Sequence, residues 1–219
     1  MVVTLSTVLL TGLSTNKTKL ARAEQALNHL AKAKAAVIAY ARLSDPNKAL
    51  PPTGLQQRYL PCPDTDGDGL EETPCGTTAA TGWLPWQTLG LAPQKDGSGT
   101  CFRYFVAAEY KQGTATPPLI SALPAGEFSL SNPNQILSND VVALIFAPNA
   151  VVAGQTRSPT PGTATECGST STSAPINQNQ NLLDSIAGTN NANAPDFIVA
   201  PQGDTFNDVA TWIISTELL

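Results

Sequence analysis

From Thr15 to Leu43 the chain carries no Pro and no Gly; all 18 Pro and 16 Gly fall outside this stretch. Ala, Leu, Lys, Arg, Glu and Gln dominate it, and these residues lose little side-chain freedom in a helix. The spacing predicts one unbroken helix, ended at Asp45-Pro46 because Pro disfavours helical geometry in the residue before it. Leu13, Leu20 and Leu27 recur every seven residues, and Ala23, Leu30 and Val37 repeat the same step. The two rows predict one apolar stripe that packs on a sheet of the same chain. A coiled-coil seam is the weaker reading, because few opposed charges flank the stripe. His29, the only histidine, reads as a surface helix position rather than a catalytic one.

Before this helix, Val2 to Leu13 is uncharged and mostly apolar. As a helix, about a dozen residues reach less than about 20 Å, short of the roughly 30 Å hydrocarbon core of a bilayer. No basic region precedes it, so it does not read as a secretory signal. It reads as a membrane helix with its front upstream, in preference to a short core helix.

From Ala49 onward the texture changes, dividing the chain into a helical part, 1–45, and a β-rich head, 46–219. Residues 102–106, 141–146 and 211–215 are rich in β-branched and aromatic side chains and read as strands; 128–130 and 197–199 suggest two more. Between Ala153 and Pro195 the composition is Gln, Thr, Ser, Pro, Gly and Asn, which predicts a long surface loop. Leu182, Leu183 and Ile186 would make one helical turn against the body.

Of 219 residues, 42% are apolar and 13% charged, which excludes a disordered chain. Twelve basic against 17 acidic residues leave a net charge of −5, which argues against nucleic acid as the main partner. Four cysteines, Cys62, Cys75, Cys101 and Cys167, fit two disulfides in an oxidising compartment. A local Cys62–Cys75 bridge needs little chain travel and leaves Cys101 with Cys167, which would tie the long loop to the body. The other two pairings stay open at this level.

The sharpest local motif is Asp64-Thr-Asp66-Gly-Asp68-Gly-Leu70-Glu71-Glu72. Carboxylates at alternate positions followed by Gly open a calcium loop, because Ca²⁺ takes six to eight oxygens and Gly permits the sharp bend. Asp64, Asp66 and Asp68 are the candidate ligands, with the Leu70 carbonyl and Glu72 following. The twelfth position, usually a bidentate Glu, is Cys75, so Glu71 or a distant residue would complete the set. A solvated acidic turn is the plain alternative. No Walker loop, GxGxxG or GxSxG motif is present, and the sequence points away from an enzyme.

Several stretches together resemble type IV pilin-like proteins, the group of pilus subunits and type II secretion pseudopilins. Met1-Val2-Val3 resembles the end of their N-terminal motif, and the resemblance places about six further residues upstream, which would bring the apolar run to spanning length. Leu60-Pro-Cys-Pro through Glu71, then Cys75, then Gly82-Trp-Leu-Pro-Trp-Gln-Thr-Leu-Gly-Leu91, resembles a subgroup of them. Asp96-Gly-Ser-Gly99 stands where pseudopilins carry a D-x-W-G turn, with Ser98 in place of the aromatic; 206–218 resembles their C-terminal end. The resemblance implies an α+β fold, a long N-terminal helix packed on an antiparallel β-sheet with disulfide-anchored loops. It implies a structural subunit of a pilus or pseudopilus, held in the inner membrane with a periplasmic head or built into an extracellular filament. Val3, Leu9, Leu13, Leu20, Leu27, Leu30 and Val37 would form the assembly helix, packing against sister subunits. The rival expectation is a secreted or surface adhesin that binds through the Trp-containing and Ser/Thr/Asn-rich loops.

Overall fold

The computed structural model describes residues 3–43, 59–111 and 123–219, with side chains described from residue 21 onward. Its organising element is a 13-residue strand, β4 (Gln135–Ala147). Residues 141–147 of β4 are all buried, as a continuous apolar run requires. One edge of this run pairs with β2 (Arg103–Val106), which carries β1 (Ala80–Trp83) beyond it; the other edge pairs with β8 (Val209–Ile214). The first half of β4 pairs with β3 (Phe128–Asn132), and β7 (Asp196–Ile198) joins the far side of β3. β5 (Ser185–Ile186) and β6 (Thr189–Asn190) form a separate small hairpin.

Four phenylalanines bring these strands together. Phe197 of β7 lies edge-on to Phe105 of β2, centroids 4.8 Å apart, and to Phe128 of β3 at 5.5 Å. Phe105 in turn meets Phe146 of β4 at 5.8 Å. Such edge-to-face pairs contribute about 0.5–1.5 kcal/mol each beyond burial.

The one α-helix among the described residues, α1 (Val3–Leu43), lies against β4, β8 and the 3₁₀ turn Ser215–Leu218 that follows β8. Ala26, Leu30, Ala33, Val37 and Ala41 are its buried face, at the three-and-four spacing of a helix. Three of the five are Ala, which brings the helix backbone close to the sheet. Polar ties hold its length: the His29 Nδ1–H donates to the Lys95 carbonyl (2.9 Å), and Lys34 pairs with Glu217 (2.7 Å). Arg42 donates to the carbonyls of Glu217 and Leu219, both at 3.2 Å. His29 therefore fastens the helix to a loop rather than standing idle on the surface. Val3, Leu9, Leu13 and Leu20 belong to α1, but their side chains lie outside the described residues, as does the Asp45-Pro46 stop.

The expected architecture, a long helix on an antiparallel sheet, is overturned. The body is mostly β, and its six-stranded sheet is mixed because β7 runs parallel to β3. Parallel neighbours need a long crossover, and the polar tract after β4 supplies it, carrying the chain round to the far side of β3. The stripe is also corrected. Leu30 and Val37 are buried, but Leu27 is 56% exposed, because it lies to one side of the face that Ala26, Leu30, Ala33, Val37 and Ala41 turn to the sheet, roughly 80° round a helix of 3.6 residues per turn. The tract 153–195 is not a simple surface loop either. Leu182 and Leu183 are buried behind two 3₁₀ turns, Pro175–Asn177 and Asn179–Asn181, whereas Ile186 belongs to β5.

Candidate metal centre

The acidic loop is closed at its base by a Cys62–Cys75 disulfide, with Cα atoms 5.8 Å apart. Asp64 begins it in an isolated antiparallel bridge to Trp83, exchanging two backbone hydrogen bonds of 3.1 and 2.6 Å. From there the chain folds around its own carboxylates. Asp64 Oδ1 accepts from the N–H groups of Asp66 (3.1 Å) and Gly67, and its Oδ2 from Gly69 N–H (2.7 Å). Asp66 accepts from Asp68 N–H (3.2 Å), Asp68 from Leu70 N–H (2.8 Å), and Glu72 from Thr65 N–H (2.6 Å). Asp and Asn favour this pattern because a short side chain reaches the amide two residues on.

Gly69 is needed for two reasons. Its φ is +95°, and a Cβ there would stand 2.3 Å from the Trp86 ring. Gly67, at φ +79°, has the backbone of Gly168 as close.

The result brings Asp64, Asp66, Asp68 and Glu72 together, one carboxylate oxygen from each lying within 4.8 Å of the others. Asp64 is fully buried, and burial pushes its carboxyl up to about 6 despite the Gly67 and Gly69 amides that favour the charged form. Burial, aided by the three aspartates, pushes Glu72 up to about 7 against the pull of the Thr65 amide. A cation among these oxygens relieves that repulsion, and an all-oxygen set suits a hard ion. The cluster is thus one that could hold a metal ion.

Glu71 is not part of it. Its Oε1 accepts from the Tyr40 hydroxyl (2.7 Å) and its Oε2 from Cys62 N–H (2.9 Å), so it ties the loop to α1. Leu70 has an exposed side chain, and Cys75 at the twelfth position is consumed by the disulfide.

Spacing gave no hint of the residues that hold the loop from outside. The second disulfide, Cys101–Cys167, brings the distant segment onto it. The Thr165 hydroxyl donates to the Asp66 carbonyl (2.7 Å), Cys167 N–H to that of Gly67 (3.1 Å), and the Asn177 amide to that of Thr65 (3.3 Å). Trp83 is buried, with Arg103 stacked 4.6 Å from its ring centre, so it serves the interior and not a contact surface.

Comparison of the chain with protein-family models, curated proteins and solved structures finds no match. No helix among the described residues is long and apolar enough to cross a membrane.

Proposed function

We propose that this protein is a structural subunit of the type IV pilin-like class, assembling through α1 and performing no catalysis. One observation carries the reading. After the sheet has covered one face of α1, a second apolar row remains open: Leu27, Ala31, Ala35, Ala39 and Leu43, four residues apart and all exposed. Leu27 and Leu43 are 56% and 70% exposed. Rows of this spacing are the ridges through which helices interlock. Covering the two leucines by a neighbour contributes about 1–2 kcal/mol each. Inner membrane before assembly and sister subunits afterwards are the partners this role requires.

Calcium is the ion proposed for Asp64, Asp66, Asp68 and Glu72, since all four donors are oxygens on a bent, Gly-containing loop. Its role would be to stiffen the head, not to catalyse.

High-speed sedimentation and negative-stain microscopy of the full chain test the assembly role. Wild type is expected to form pelletable polymers, and Ala35→Lys, which puts a charge in the middle of the open row, to remain soluble and folded. Polymers unaffected by Ala35→Lys, or a wild type that never polymerises, would overturn the reading. For the ion, titration with CaCl2 should raise the melting temperature and change Trp86 emission, and Asp66→Asn with Asp68→Asn should abolish both responses.

A further inference from the structure

Asp184 and Asn191 are the two feet of the small hairpin β5–β6, and one oxygen atom holds both. Asp208 Oδ2 accepts from the Asp184 N–H (2.8 Å) and from the Asn191 side-chain amide (2.9 Å). The Asp184 carboxyl grips back, its Oδ2 accepting from the Asn207 N–H (2.7 Å). The Asn191 N–H closes the base on the Asp184 carbonyl (3.0 Å). Beyond its feet the hairpin has little to hold it. Its strands are two residues each, Ser185 and Ile186 facing Asn190 and Thr189, and a ladder that short is not stable alone. Its turn, Ala187-Gly188, has both residues at positive φ (53° and 86°), a conformation that the Cβ of Ala187 disfavours. Asn191 is also fastened to β7, where its side chain bonds the N–H and the carbonyl of Ile198 (2.8 and 3.0 Å). That makes Asn191 the fixed foot and Asp184 the one able to move.

The charge beneath the hairpin does not balance. Asp184 and Asp208 are 3% and 2% exposed. Arg157 is the cation that acts on both, yet it forms no ion pair with either among the described residues. Its Nη2 donates to Gln155 Oε1 (2.7 Å), and Gln155 Nε2 donates to Asp184 Oδ1 (2.9 Å). Asp96 draws on the same guanidinium. Two ionised carboxyls are therefore more negative charge than this buried site can neutralise. A proton on Asp208 removes the excess, and it belongs on Oδ1, because Oδ2 already faces two N–H donors. Burial, then the charge of Asp184, pushes Asp208 up to about 8 against the pull of Arg157, and burial raises Asp184 as well.

We infer that β5–β6 is a pH-gated flap: a proton on the Asp184–Asp208 pair latches it shut, and loss of that proton frees it to swing about Asn191. Leu183, 3% exposed, sits at the moving foot. It lines a cleft of about 350 Å³ together with Asp184, Ser185 and Asn190, so opening uncovers an apolar side chain. The device depends neither on assembly through α1 nor on a cation in the acidic loop.

Hydrogen exchange of the full chain, read amide by amide by NMR and corrected for intrinsic rate, tests the flap between pH 5 and pH 8. A carboxyl raised in the closed form favours closure fully below about pH 4, and its grip weakens by up to about tenfold per pH unit until about 8. Protection of the Asp184, Asn191 and Asn207 amides should fall at least about a hundredfold over the tested range. At every pH it should stay below that of Leu144 and Ile145 in the centre of β4, as a local opening requires. Asp208→Asn puts an uncharged amide where the protonated carboxyl stands, and should keep these amides at their pH 5 protection throughout. Asp184→Asn, which removes the repelling partner, should shrink the response as well. Wild-type amides indifferent to pH, or an equal fall in both variants, would overturn the inference. So would amides that match those of β4 at every pH, because the hairpin would then open only with the whole fold.

Discussion

At the scale of single residues, the chain places several acids where water cannot serve them, and each leaves a signature in pH. Asp208 is buried before β8; its Oδ2 accepts from Asp184 N–H (2.8 Å) and from the Asn191 amide (2.9 Å), while its Oδ1 has no partner among the described residues. Burial, then the charge of Asp184, pushes it up to about 8, and the nearby Arg157 guanidinium only partly offsets this. A carboxyl raised in the fold favours folding in its protonated form. Its contribution is complete below about pH 4 and is lost as pH rises through about 8. Urea denaturation should therefore give lower stability at pH 9 than at pH 5, and Asp208→Asn should flatten that difference. The acidic loop titrates in a related way: Glu72 at about 7 and Asp64 at about 6 must release protons to a cation. Apparent calcium affinity should fall as pH drops from 8 to 5.5, as read by calorimetry.

At the scale of elements, α1 has two apolar faces with opposite energetic meaning. Leu30 and Val37 lie in the core, so Leu30→Ala should cost about 2–4 kcal/mol. Leu27, one residue-step round the helix, touches solvent, and Leu27→Ala should change stability by less than about 0.5 kcal/mol. Thermal denaturation of the two variants separates the faces. The acidic loop and the tract 163–177 form a second pair of linked elements, joined by Thr165, Cys167 and Asn177 on the loop's own carbonyls. A cation that orders the loop should therefore slow hydrogen exchange in 163–177. Thr165→Val should weaken that protection while leaving calcium binding in place. Tract amides indifferent to saturating calcium would show the two elements to be independent.

At the scale of the whole molecule, the two disulfides act over different distances. Cys62–Cys75 encloses a separation of 13 residues and shapes one loop; Cys101–Cys167 spans 66 and holds the crossover tract onto the acidic loop. In the chain-entropy view the longer closure contributes about 4 kcal/mol. The double variant Cys101→Ala with Cys167→Ala should lose about that much in equilibrium denaturation. It should also lower calcium affinity, because the loop's outer support goes with it. A variant that keeps both stability and affinity would show that the polar contacts alone hold the tract in place.

Local chemistry made a good part of this protein readable in its residues. The helix, the strand segments at 103–106, 128–130, 141–146, 197–198 and 211–214, and the three-aspartate loop all follow from side-chain preference over a few neighbours. The same holds for the short disulfide, where two cysteines meet across one loop. Other features depend on where the chain returns after long excursions, and only the tertiary structure decided them. Among these are the parallel placement of β7, the diversion of Glu71 to Tyr40 and the docking of Thr165 onto the acidic loop. The inward face of α1 belongs with them, since a helix shows its periodicity in sequence while the sheet beneath it chooses which apolar row is buried. Non-local contacts carry no local spacing, so their geometry exists only once the strands have paired.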